Sequence, residues 1–329
     1  MAHVGGVLRQ DRLEDSDVIT WSGYNSKLAN DESVKPPAEI AVYPLFPDKA
    51  ASASSMKHAM ELTMKGTEFL NPGQTSVLVA DLPLYTIIKL LQWQYPDTSG
   101  EDKIVAMMGT LHIEDKMHLM IGKLFQGSGW ATVLTRAEVL TSGRAQSALN
   151  EHHVKRTRYA HQVSLMSYIC SSSLPKLNVM GSPESFVMWD EHSQSVPQFK
   201  FWSTVIDLEL LMARFVRSLR EGNFRLYVQS CDGLYGWFHA LDHTNYARWL
   251  PVHVRDAVEL PKKHPQVHAE LMKGNFVVQK SARKSASWQR IKRTSSPTKV
   301  SRRMAERLGF MKIPKFSHCS CWRHPIARG

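Results

Sequence analysis

Three side chains in the first third of the chain have the types and spacing that metal-dependent phosphoryl transfer uses. Asp81 closes the short apolar run SVLVAD, and His112 and Glu114 close a second one, KIVAMMGTLHIE. A carboxylate at the end of a buried strand lies at the carboxyl edge of its sheet, where open α/β sheets hold their ligands. If the two runs are parallel neighbours, two carboxylates and an imidazole meet there and can hold a divalent cation, Mg2+ or Mn2+. The same residues also have a structural reading: each precedes a helical stretch, and an acid at a helix N-terminus satisfies its unpaired N–H groups.

Three other clusters have the right chemistry in a looser pattern. HHVKRTRYAH carries His152, His153, Lys155, Arg156, Arg158 and His161. On a helix Arg158 and His161 share a face, and Arg156 and Arg158 are candidates to grip phosphate; a solvated helix face accounts for the same residues. LDHTNYARWLPVH offers Asp242 as a base or ligand and Arg248 as a phosphate clamp. Its structural reading, slightly favoured, is a buried Asp242–Arg248 pair that fixes a loop beside the aromatic anchors Tyr246 and Trp249. HCSCWRH, from His318 to His324, gathers two Cys and two His, but Cys-x-Cys over so short a span is not zinc-finger spacing.

The elements that must position these groups follow from periodicity. Residues 39–46 alternate weakly and suggest a short edge strand. Residues 51–70 repeat Met and Leu at helical spacing, with Ser54 or Ser55 as N-cap, and stop at Asn71-Pro72-Gly73. Strand 76–81, a helix carrying Leu84, Ile87, Ile88, Leu91 and Tyr95, a turn over 96–102 and the second strand form a βαβ unit, which implies a parallel pair with a crossover helix. Helix resumes after Glu114 and runs to Gly127 and Gly129. Beyond it, 131–150 and 154–174 read as amphipathic helices, 174–198 as a loop or insertion, and 199–221 and 224–241 as helices. One more helix precedes Pro261. The fold class is therefore α/β to mostly α: a small parallel βαβ core with a large helical remainder. The organisation is an extended lead-in over 1–37, a single folded body over 38–279, and a tail over 280–329.

Charge sets that tail apart. The chain carries +11 overall, yet residues 280–329 hold 14 Lys/Arg against one acid, Glu306, which leaves the first 279 residues with 27 basic and 29 acidic side chains, net −2. The positive charge is thus no evidence that the body binds nucleic acid, although a basic tail can bind DNA nonspecifically. The four cysteines, Cys170, Cys231, Cys319 and Cys321, form no disulfide framework. No signal-peptide core and no membrane-length apolar run stands in the sequence. The expectation is a nuclear or cytoplasmic protein, not secreted, with no membrane partner and no small-molecule cofactor.

Several stretches together carry a family resemblance over about residues 20–280: YPLFPDKAASASSMKHAM, TEFLNPGQTSVLVADLPLY, LLQWQYPDTSGEDK, GTLHIE, GSGW, HVKRTRYAHQVS, FWSTVIDLELLMARFVRSLREGNFRLY and ALDHTNYARWLPVHVRD. They resemble a multi-copy family of animal proteins with mobile-element, transposon-derived character. Members carry Gln where this chain has Leu82, and Gly-Gly where it has Gly109-Thr110. After the stretch matching GNFVVQK they continue into a motif of the form DxAHEQxNK…DGGAVGL, which is missing here. With suitable codons, Ala286 to Arg328 read in a shifted frame give such a motif, so the tail is expected to be an out-of-frame read.

A strand ending in Asp, a second ending in His-x-Glu and a lost helix-borne His-Glu-Gln look, by analogy of fold, like the layout of an RNase H-like transposase, in which three acids bind two divalent metals. Asp81 would be the first carboxylate, Glu114 (or His112) the second, and the third would be lost with the frame. The chain is then expected to be a degenerate nuclease-like domain, inactive in this copy. Two alternatives stand beside it: a non-enzymatic interaction or structural protein from the same element, and a nucleic-acid-binding role carried by the tail.

Overall fold

The computed structural model describes residues 51–150, 153–168 and 183–277, together with Val42 and Lys49. The lead-in over 1–37, the HCSCWRH cluster and the tail from 280 lie outside the described residues, as does the strand expected at 39–46 except for Val42, which is exposed and carries no strand assignment. The chain forms two compact units, whose described residues are 51–120 with 211–277 in one and 121–210 in the other.

The first unit contains the strand pair. Helix α1 (Ala53–Leu70) leads through a turn at Gly73 into β1 (Ser76–Ala80); α2 (Leu82–Gln94) and the single turn α3 (Pro96–Ser99) return the chain to β2 (Ile104–Met108). The strands are parallel, in register from Ser76 opposite Ile104 to Ala80 opposite Met108. All five residues of β2 are buried, as expected of a strand covered on both faces. Helix α1 packs on both α2 and β1. Its N-cap is Ser52, whose Oγ accepts from Ser55 N at 3.1 Å; Ser54 and Ser55, the caps expected from sequence, already lie within the first turn.

The second strand is shorter than its apolar run. It stops at Met108, and α4 (Thr110–Phe125) begins two residues later, so His112 and Glu114 do not close a strand but lie on the first turns of a helix. The apolar pattern changes period here: Ile113, Met117, Met120 and Ile121 are all buried, at helical spacing. A short apolar run cannot by itself reveal where a strand gives way to a helix.

The unit continues with α10 (Phe224–Ala240), capped by Asn223, then α11 (Thr244–Lys263), α12 (Pro265–Glu270) and a π-helical turn, Leu271–Asn275. Helix α11 does not end before Pro261 as expected but runs through it. Pro261 stands in the last turn, where it removes the one ladder bond its own nitrogen would have made, and His264 N closes that turn on Leu260 O at 2.8 Å.

In the other unit α5 (Trp130–Arg136) and α6 (Ser142–Leu149) divide the segment expected as one helix. Glu138 breaks it with φ of 60°. Gly122, at the start of this unit, is required by a close approach: a Cβ there would lie 2.1 Å from Leu149 O. Helix α7 spans Val154–Tyr168. The stretch read as loop or insertion, 174–198, contains α8 (Pro183–Ser193), and α9 (Pro197–Glu221) starts before that stretch ends; it runs from this unit into the other. Both helices open on proline, whose fixed φ suits a first helical position. The Pro, Gly and Ser that suggested a loop therefore mark helix starts as well as connections.

Candidate functional site at the carboxyl edge of the strand pair

Parallel pairing brings the carboxyl ends of β1 and β2 together. Gly109 N donates to Ala80 O at 2.7 Å, and a Cβ at Gly109 would stand 3.3 Å from that oxygen and 3.6 Å from His112 Cδ2. Asp81 follows Ala80 directly, so Asp81 and the start of α4 share one edge. Glu114 is buried, whereas His112 is exposed.

Asp81 is the N-cap of α2. Its Oδ1 accepts from Leu84 N at 3.2 Å, and Pro83 occupies the first turn. Asp81→Ala is expected to cost about 1 kcal/mol of stability through the lost cap, and Asp81→Asn, which caps equally well, a few tenths. Thermal or urea unfolding of the two variants checks this; equal losses would show that charge rather than capping matters. Among the described residues, no three His, Cys, Asp or Glu side chains are gathered as a metal site requires. The donors present at this edge do not fit a two-metal centre.

The other sequence candidates are dispersed. Arg156 and Arg158 lie on α7 in one unit, the first exposed and the second half-buried, while Arg248 is exposed on α11 in the other. Neither unit by itself assembles the three. Asp242 and Arg248 are both exposed, so the expected buried pair is not formed. Asp242 instead takes a turn conformation, φ 62°, between α10 and α11, a backbone region that Asp tolerates better than most residues. The aromatic anchors are in place: Tyr246 stacks on Phe238 at 4.9 Å and Trp249 on Trp93 at 5.8 Å.

Sequence reasoning missed the strongest polar clusters. Lys89, 1% exposed, reaches Glu101 Oε1 at 2.6 Å and Asp256 Oδ2 at 2.8 Å. Glu101 also accepts from Arg255 at 2.7 Å, Lys263 at 2.9 Å and Trp93 Nε1 at 2.8 Å, and its backbone carbonyl meets His264 Nε2 at 2.7 Å. The network ties the turn after α3 to α11. Burial opposes the charge on Glu101, but hydrogen bonds from Lys89, Lys263 and Trp93 outweigh it and hold the carboxyl well below its usual range. A signal existed, since Lys89 and Gln92 fall on the buried stripe of α2 with Leu82, Tyr85 and Ile88.

In the other unit His161 Nδ1 and Glu209 Oε1 are 2.9 Å apart, both fully buried. Burial pushes the imidazole down to about 3 and the carboxyl up. Both shifts favour the uncharged forms, and a protonated Glu209 can donate to Nδ1 in the tautomer that leaves that nitrogen bare. An acid whose pKa is raised by folding supports stability below its unfolded value, near 4.3. That support is lost as pH rises, because the unfolded chain then gives up its proton more readily. Glu209→Gln keeps a donor for Nδ1 and removes the titration. It is expected to raise the melting temperature at pH 8 but not at pH 4; a variant less stable at both would contradict the neutral pair.

The chain matches the family described as Domain of unknown function (DUF8702) over residues 20–182 and 183–292. It belongs to that family. No curated protein and no solved structure matches it. Among the described residues no helix is long and apolar enough to cross a membrane.

Proposed function

We propose that the body is the scaffold of a transposon-derived, metal-dependent phosphoryl-transfer domain that this chain leaves incomplete, so that it does not cleave DNA. The observation that carries this reading is the parallel β1–β2 pair, which sets Asp81 and the helix bearing His112 and Glu114 at one sheet edge. Open α/β sheets place their chemistry at that edge, and two-metal phosphoryl transfer needs carboxylates converging there. Among the described residues no third donor completes a metal site at that edge, and the scaffold is read as catalytically incomplete.

The chain's own residues then do structural work. Asp81 starts α2, and Gly109 lets the start of α4 approach β1. The expected outcome with supercoiled DNA and Mn2+ or Mg2+ is nicking no greater than in buffer, unchanged by Asp81→Asn. Metal-dependent nicking by the present chain that Asp81→Asn removes would overturn the reading.

A second reading, a non-enzymatic structural or interaction protein, is favoured by one contact. The hydrogen bond from Leu84 N to Asp81 Oδ1 gives the carboxylate a capping role that needs no metal.

A further inference from the structure

Two small cavities flank Asp256 inside the unit that contains the strands, and we infer that each is a binding site for an internal water molecule, the two together hydrating the seam between α11 and the β2–α2 layer. Each has a volume of about 20 Å³. That exceeds the roughly 10–15 Å³ a single water needs. The first is lined by Lys89, Gln92, Glu101, Asp256, Lys263 and His264. The second is lined by Val105, Phe224, His253, Asp256 and Leu260 among others.

A residue lining each cavity carries a buried polar atom with no hydrogen-bond partner from the protein. Gln92 lines the first; its Oε1 is unpaired, while its Nε2 donates to Ile104 O at 2.7 Å. His253 lines the second; its Nδ1 is unpaired, while its Nε2 meets Tyr227 Oη at 2.8 Å. Both residues are 2% exposed. Buried polar atoms in folded proteins are almost always paired, with protein or with ordered water.

The chemistry of the two atoms selects the ligand. Gln92 Oε1 is only an acceptor, so its ligand must donate. This excludes chloride, despite the three cations of the network. His253 is kept neutral by burial, which pushes it down to about 4; Asp256 opposes that effect and Lys89 reinforces it. Its Nδ1 is then a donor or an acceptor according to the tautomer. Water serves either tautomer as well as Gln92; Lys89 and Asp256 line the first cavity as further partners, and Asp256 lines the second.

A crystal structure of the full chain, at a resolution that orders internal waters, tests this. The expected result is a density peak about 3 Å from Gln92 Oε1 and another about 3 Å from His253 Nδ1. In solution, cross-relaxation between water and the Gln92 amide protons and His253 ring protons should be seen in the wild-type chain, and the Gln92 signals need no variant that might misfold. Gln92→Met should remove the first water and leave the second. Dry cavities, side chains collapsed into them, an anomalous bromide peak after soaking, or a first-site water that persists in Gln92→Met would overturn the inference.

Discussion

Replacing Lys89 with methionine is expected to lower the free energy of unfolding by about 3 kcal/mol, the lower end of what breaking a buried ion pair costs. The side chain fills similar space, so the loss reports charge rather than volume. Lys89 is 1% exposed and stands between Glu101 and Asp256, whose side chains are 21% and 17% exposed. Without the ammonium, two partly buried carboxylates face each other with only Arg255 and Lys263 to compensate. The value is not larger because those cations remain and water reaches both acids.

The pH dependence follows from Glu101. A carboxyl held below its ordinary value stabilises the fold above the unfolded value, near 4.3. That stability drains away as pH falls through and below it, because the unfolded chain binds the proton first. Wild type should therefore lose stability between pH 5 and pH 3 more steeply than Lys89→Met, in chemical unfolding followed across that range (roughly one unit either side of the unfolded value). Parallel pH curves for the two proteins would show that Lys89 does not hold the Glu101 charge.

Trp130→Ala should be at least as damaging, by about 4 kcal/mol, the usual scale for emptying a large buried aromatic site. Trp130 is 2% exposed. Its ring stacks on Phe125 at 4.7 Å and on His161 at 5.0 Å, and Nε1 donates to Ser164 Oγ at 2.6 Å. One substitution removes one ring of a three-ring cluster, in which Phe125 and His161 also stack at 5.9 Å, and leaves a void beside the His161–Glu209 pair. Trp130→Phe keeps the stack and loses the hydrogen bond, so it should cost about 1 kcal/mol. Near-equal losses in calorimetry would mean that the stack contributes little.

What the sequence made legible was local. SVLVA and KIVAMM are short, continuous apolar runs joined by a strongly apolar helix, and a parallel pair is the simplest way to bury both. The helices expected at 51–70, at 199–221, the strongest by pattern, and at 224–241 stood out by period. Boundaries were less legible where one pattern passes into another: the strand at 104–108 hands its apolar run to α4 without a change in composition, and Pro261 sits inside a helix. The candidate site was legible only as chemistry expected at an edge. Asp81 and Glu114 became candidates because acids next to apolar runs stand out, whereas Lys89 and Glu209 are hidden among leucines and isoleucines. A charge on a buried stripe becomes meaningful only when its partner is known, and Glu101 is 12 residues from Lys89 while Glu209 is 48 from His161.

The most direct measurement is DNA cleavage by a chain whose residues 286–328 are replaced with the shifted-frame sequence carrying the AHEQ-type motif. If the body is a phosphoryl-transfer scaffold that lacks only its last donor, that chain should nick supercoiled DNA in Mn2+ or Mg2+. Asp81→Asn and Glu114→Gln should each abolish the activity, while Asp81→Asn leaves the fold intact by circular dichroism. A folded, reframed chain that shows no metal-dependent cleavage, or one whose cleavage survives both substitutions, would contradict the claim.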